Sequence, residues 1–199
     1  MPSSKLPKNY SAKRVISRHL KQRLVSMLVD KLTNSIELRT TGQTFVTDVS
    51  LLTATEVSRL RKVDFGFDWK SEANVTDRQV YKLTTREEPT LIQGLISLQV
   101  QKGFVFMHLV ETAQFNRGKQ GRYLGVFGNL VAFACKLSFE EGMDGYLVFD
   151  AKTALIEHYK KTLGARRQTA IRMYVETNEA KFLVSTYYKD FFSPIPPAS

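Results

Sequence analysis

The apolar positions change period along the chain, and the changes outline its elements. Ile16, Leu20, Leu24, Met27 and Leu28 recur at three- and four-residue intervals with basic residues between them, which predicts an amphipathic helix over about 11–32. Ile36-Glu-Leu-Arg-Thr, a Thr41-Gly42 turn and Thr44-Phe-Val-Thr-Asp-Val read as a hairpin. Thr53-Ala-Thr-Glu56 has the spacing of a capping box ahead of Val57 and Leu60 and predicts a short helix. The stretch 65–77 has no clear period and reads as loop. Strands are predicted at 79–84, at 90–100 with a bulge at Gly94, and at 104–110, which is apolar on both faces except for His108.

A polar, basic loop follows at 114–122. Val126, Leu130, Phe133, Ala134 and Leu137 then repeat at helical spacing until Gly142. Beyond it the pattern alternates: a strand at 146–149, a helix at 153–162 stopped by Gly164, a strand at 170–175 and a helix from Thr177 to about Lys189. Strands first and then alternation predict an α/β (α+β) domain, a mixed sheet with helices packed on it. The chain divides into a basic arm and helix at 1–35, a domain at 36–192 and a Pro-rich tail at 193–199.

Composition narrows the class. At 199 residues there is room for one domain and an appendage, or for two small domains. An apolar fraction of 43% supports a full core and excludes general disorder. The net charge of +10 favours anionic partners without choosing among phosphates, nucleic acid and acidic surfaces. Residues 1–35 carry eight basic side chains against Asp30, so +7 of that charge lies in the arm. The arm's helix either docks on the body with a solvated charged face or meets nucleic acid or an anionic surface. Cys135, the one cysteine, sits in an apolar run and reads as a core residue. Without a disulfide framework a reducing, cytoplasmic setting is expected. The most apolar stretch is about 12 residues, short of the roughly 20 of a spanning helix, so no membrane partner is expected. Three histidines and one cysteine, dispersed, have no metal-ligand spacing.

The segment that carries chemistry is strand, basic glycine-rich loop, helix. Arg117, Lys119 and Arg122 alternate there with Gly118, Gly121 and Gly125, and no acid interrupts them. Glycines let backbone amides approach a ligand, and a helix start adds amides and a positive dipole end. The segment is either an anion site suited to a phosphate or pyrophosphate, or an ordinary exposed turn. It lacks the Walker and the dinucleotide-binding spacings.

Arg122-Tyr-Leu-Gly125-Val-Phe-Gly128 resembles the pyrophosphate-binding motif of the GNAT superfamily of N-acetyltransferases: Arg or Gln, two residues, Gly, one residue, then Gly or Ala. The helix end at Gly142, the strand at 146–149 and Ile156-Glu-His-Tyr159-Lys-Lys-Thr-Leu-Gly164 follow in the family's order. The resemblance spans about residues 79–175. This chain departs from the pattern at Phe127, where the motif has Gly or Ala. It also has a longer loop between Val110 and Arg122, one extra residue between Tyr159 and Gly164, and Ala165 where Phe is usual. A helix from Thr177 stands where the family has its last strand.

The resemblance implies a mostly antiparallel sheet with helices on both faces and one splayed parallel strand pair, 104–110 and 146–149, with the N-terminal helix added. It implies acetyl-CoA as acyl donor and a primary amine as acceptor. Leu109 and Val110 would line the acyl end, with a backbone amide near Val110 polarising the carbonyl. Arg122 and the amides of Gly125, Val126, Phe127, Gly128 and Asn129 would take the pyrophosphate, and Arg117 and Lys119 would add charge. Tyr159 matches the position of the family's proton donor, or it is a half-buried aromatic. Glu111 is either a base or a solvated carboxylate. His108 reads as a core residue, and His158 as structural or surface. The alternative is a non-catalytic module of the same fold that binds nucleic acid through the basic arm.

Overall fold

The computed structural model describes residues 35–193. The predicted arm helix and the Pro-rich tail beyond Ser193 lie outside the described residues. In chain order the elements are β1 (Ile36–Leu38), β2 (Thr44–Phe45), β3 (Thr47–Leu51), α1 (Ala54–Arg59), α2 (Trp69–Ala73), β4 (Gln79–Thr85), β5 (Gly94–Gln101), β6 (Phe104–Thr112), β7 (Tyr123–Leu124), α3 (Val126–Glu140), β8 (Leu147–Asp150), α4 (Ile156–Leu163), β9 (Arg166–Arg167), β10 (Arg172–Val175) and α5 (Thr177–Tyr187).

The main sheet has the order β3-β4-β5-β6-β8-β10-β9, and every neighbour is antiparallel except the parallel pair β6 and β8. Period-two alternation assigns its faces. Ile96, Leu98, Val105, Met107, Leu147, Phe149, Met173 and Val175 face a core shared with α3, α4 and α5. Val80 and Leu95 face the other way and are covered by Phe65 and Trp69 of the α1–α2 region. Helices therefore cover both faces. Cys135 is fully buried in the first core, where desolvation pushes its thiol up, so it packs and does not react.

Local chemistry explains most element boundaries. Thr53 and Glu56 form the reciprocal capping box that starts α1. Gly164 ends α4 with a positive φ of 64°. The stretch 65–77, read as loop, contains α2: the Asp68 side chain accepts the Ser71 N–H and caps it, and Trp69 anchors its buried face. The bulge expected at Gly94 is found across the strand pair, at His108. Gly94 answers a different demand, since a Cβ there would lie 2.9 Å from Leu130 and Val126 of α3, which presses directly on the strand.

β1 and β2 form the predicted hairpin, but it is not part of the main sheet. β1 pairs with β7, so that Glu37 lies opposite Leu124 and Leu38 opposite Tyr123. The segment entering the domain thus runs beside the basic loop and the start of α3.

Candidate active site

The parallel pair holds together only at one end. Val105, Phe106 and Met107 of β6 are in register with Leu147, Val148 and Phe149 of β8, and beyond Met107 the pairing stops. The cause is on the other edge of β6. Leu98 pairs with Met107 but Ser97 pairs with Leu109, so His108 is an extra residue, a β-bulge. Before the bulge the odd-numbered Val105 N–H points at β8 and donates to the Tyr146 carbonyl at 3.0 Å. After it, the odd-numbered Ala113 N–H points the other way and donates to Gln93 at 2.9 Å, while the Thr112 carbonyl faces away and accepts from Arg117 Nε at 2.7 Å. The bulge has exchanged the two edges. By the same alternation the Val110 amide faces the opening between the strands, and Leu109 bonds back to β5. The His108 ring itself bonds Gln99 at 2.9 Å, and burial followed by the nearby Arg78 lowers its pKa.

The basic loop closes tightly at the same end. Arg122 N–H donates to the Phe115 carbonyl at 2.9 Å and Gly121 N–H to Gly118 at 3.3 Å. Asn116 fastens it from inside, donating to Gln93 and accepting the Tyr123 N–H. A Cβ on Gly121 would lie 2.3 Å from the Asn116 carbonyl, so only glycine fits there. Gly125, with φ of 84°, turns the chain into α3, whose ladder begins with Asn129 N–H to the Gly125 carbonyl at 2.9 Å. Its opening amides lie ahead of that ladder. Lys119 and Arg122 are exposed around this end; Arg122 pairs with Glu88 at 3.1 Å and lies over the Tyr123 ring.

Tyr159 stands between these parts. It is 6% exposed, its ring stacks on Phe127 at 5.9 Å and 28°, and it meets Phe149, the last residue of β8 paired with β6, edge-on at 5.1 Å. No hydrogen bond to its hydroxyl is found among the described residues. Burial raises its pKa to about 12. His158, next to it, is half-buried with a pKa lowered by desolvation.

No protein-family model matches the chain, and a search of curated proteins finds no match either. Solved structures do match. A spermidine N-acetyltransferase SpeG chimera from Vibrio cholerae and hSSAT is 10% identical, covering 68% of this chain and 98% of its own, with a TM-score of 0.51. An AtaT–AtaR complex bound to DNA is 16% identical, with coverages of 68% and 98% and a TM-score of 0.51. A Bacillus subtilis acetyltransferase in complex with CoA is 13% identical, covering 66% and 98%, with a TM-score of 0.45. The fold is that of the GNAT acetyltransferases. The features expected of a GNAT fold are present: the sheet of mostly antiparallel strands, one parallel pair that parts at its end, and helices on both faces.

The remaining residues singled out from the sequence fall into two groups. Val126, Phe127 and Gly128 form the first turn of α3, beside the end at which β6 and β8 part. Asn129 is turned inward: its side chain donates to Thr47 Oγ1 at 2.7 Å and accepts from the Tyr188 hydroxyl at 3.4 Å. Glu111 is buried, and its carboxylate accepts the Gly66 N–H at 2.7 Å, the Phe67 N–H at 3.1 Å and the Trp69 Nε1–H at 2.6 Å, and pairs with Arg117. Arg117 is therefore directed at Glu111 and the Thr112 carbonyl, not along the loop with Lys119. Two residues of this neighbourhood gave no sequence signal. Arg39 and Trp69 reach it from 82 and 42 positions away. Among the described residues no cluster of metal-binding side chains is found, and no helix is long and apolar enough to cross a membrane.

Proposed function

We propose that the protein is an acetyl-CoA-dependent N-acyltransferase acting on an amine. The observation that carries the reading is the opening between β6 and β8, bordered by the Val110 amide, the start of α3 and Tyr159, a buried ring whose hydroxyl has no hydrogen-bond partner among the described residues. That combination suits a thioester with a diphosphate tail. One solved structure of similar fold, named above, is of a spermidine N-acetyltransferase chimera.

Acetyl-CoA supplies an acyl group activated as a thioester. Lys119, Arg122 and the opening amides of α3 bind the diphosphate, each charge-assisted contact contributing on the order of 1.5–3 kcal/mol. The Val110 N–H hydrogen-bonds the acyl oxygen, which gains negative charge as the amine attacks. As the neutral amine bonds to the acyl carbon and the carbon–sulfur bond breaks, Tyr159 gives its proton to the departing sulfur, and the proton that the nitrogen sheds passes to solvent, from which the phenolate is reprotonated. A pKa of about 12 keeps that proton in place at neutral pH. Glu111 holds the α1–α2 connection against β6; with its oxygens occupied by four donors, it organises the acceptor side and takes no proton.

Calorimetric titration with acetyl-CoA tests the reading. We expect saturable binding, a raised melting temperature and loss of both in Arg122→Glu. Absence of heat with the intact protein would overturn it. The alternative, a nucleic-acid module, depends on the arm at 1–35 and predicts RNA affinity that falls steeply with salt.

A further inference from the structure

The loop 117–122 has a partner outside the segment that resembles any motif. Arg39 follows β1 and lies against the loop on its far side. Its Nε donates to the Gly121 carbonyl at 2.8 Å and its Nη2 to the Gly118 carbonyl at 3.3 Å, while its own N–H donates to the Arg122 carbonyl at 3.0 Å. One residue thus gathers three of the loop's carbonyls. Among the described residues it has no carboxylate partner, and Nη1 makes no hydrogen bond.

Two physical consequences follow. A peptide unit is planar, with its C=O and N–H pointing in opposite directions. Turning the Gly118 carbonyl toward Arg39 turns the Lys119 N–H the other way. The planar fork of a guanidinium can bridge two carbonyls at once, which an ammonium cannot do with comparable direction. The second consequence is electrostatic. Arg122 shares its charge with Glu88 and Arg117 shares its charge with Glu111. Arg39 brings a half-buried positive charge to the same loop, and among the described residues no carboxylate pairs with it.

We infer that Arg39 is a positioning residue for the diphosphate of the acyl donor, fixing loop 117–122 in its binding shape from behind. The inference rests on the acyltransferase reading above and extends it to a residue of the β1–β2 hairpin, outside the region of resemblance. It makes that hairpin part of the cofactor site.

The test compares two donors by calorimetry: acetyl-CoA, which has the diphosphate, and acetyl-pantetheine, which lacks it. In Arg39→Gln we expect acetyl-CoA to bind about 10–100-fold more weakly and acetyl-pantetheine to bind within about twofold of the unaltered protein. In steady state the KM for acetyl-CoA rises with kcat largely kept. Arg39→Lys keeps the charge without the fork and stays weakened. Hydrogen exchange at 117–122 in the ligand-free protein accelerates in both variants, a readout that needs no activity and no ligand. Equal losses for both donors would make Arg39 a general structural residue and overturn the inference. So would full recovery in Arg39→Lys, which would reduce its part to charge alone. If the unaltered protein binds acetyl-CoA and Arg39→Gln binds it equally well, only this inference fails. If the unaltered protein binds none, the acyltransferase reading fails and takes the inference with it.

Discussion

Phe127 and Tyr159 stack with their rings 5.9 Å apart and 28° from parallel, one from the first turn of α3 and the other from the middle of α4. Phe127 stands where the motif that this segment resembles has Gly or Ala, and the stack on Tyr159 gives its ring a buried place. It also limits where the Tyr159 hydroxyl can point, because Phe149 closes the second side of the ring. Phe127→Ala removes a ring that is only 8% exposed and should cost about 3–5 kcal/mol of stability. With one wall gone, Tyr159 gains rotamers and kcat falls. The KM for acetyl-CoA does not rise, since the change makes room at the helix start. Chemical denaturation and steady-state kinetics check the two effects separately.

Tyr159→Phe separates proton donation from packing. Its ring contacts survive, so acetyl-CoA affinity stays nearly constant while turnover falls by about 10²–10⁴. A turnover rate equal to that of the unaltered protein would leave Tyr159 as a packing residue. The same variant has a signature in stability against pH. The folded state raises the phenol from 10.0 to about 12, so it holds the proton more tightly than the unfolded chain. The associated stability is complete below pH 10 and disappears as pH rises through 12. Two units correspond to a loss on the order of 3 kcal/mol across that window. Tyr81, Tyr123 and Tyr188 are raised as well, mainly by burial, and add to the alkaline loss of the unaltered protein. The difference between it and Tyr159→Phe in alkaline denaturation isolates the one group.

Arg122 is held by an acid that a diphosphate would have to displace. Glu88 lies 3.1 Å from its guanidinium, and the Tyr123 hydroxyl also donates to Glu88 at 3.4 Å. The side chains are 45% and 38% exposed, so the pair is screened and contributes about 0.2–1 kcal/mol. Glu88→Gln releases the guanidinium and removes a negative charge from the mouth of the site. We expect acetyl-CoA affinity to rise by up to about fivefold, with a steeper dependence on salt. Titrations at two ionic strengths measure both.

What could be read from the sequence was whatever is encoded over short spans. The capping box needs only Thr53 and Glu56, and the start of α3 needs only Gly125 and the periodic run behind it. The order of strands and helices after residue 79 follows from such local signals. The parts that escaped are set by register or by distance. His108 is a bulge because of where Ser97 and Leu98 pair, and nothing near His108 records that choice. Gly94 was a reasonable place for a bulge, but its demand comes from Leu130 and Val126, more than 30 positions on. Arg39 serves the loop from 79 and 82 residues away. Glu111 was visible as a carboxylate at the end of the central strand. Its four donors come from segments whose proximity only the fold creates.

Glu111 yields the sharpest distinction between organising and reacting. Oε1 receives the Gly66 N–H and the Arg117 guanidinium, and Oε2 receives the Phe67 and Trp69 N–H groups. In Glu111→Gln either amide orientation turns an NH₂ toward two donors and leaves buried N–H groups unmatched, at about 1–3 kcal/mol each. Loss of the carboxylate charge also strands Arg117, whose side chain is only 18% exposed. The expected result is a lowered melting temperature and faster hydrogen exchange at Gly66–Trp69. The KM for the amine rises more than the KM for acetyl-CoA. A catalytic base would add a second mark that an organising residue does not, the loss of the acidic limb of the pH–rate profile. Thermal denaturation and a pH series on the one variant therefore decide which part Glu111 plays.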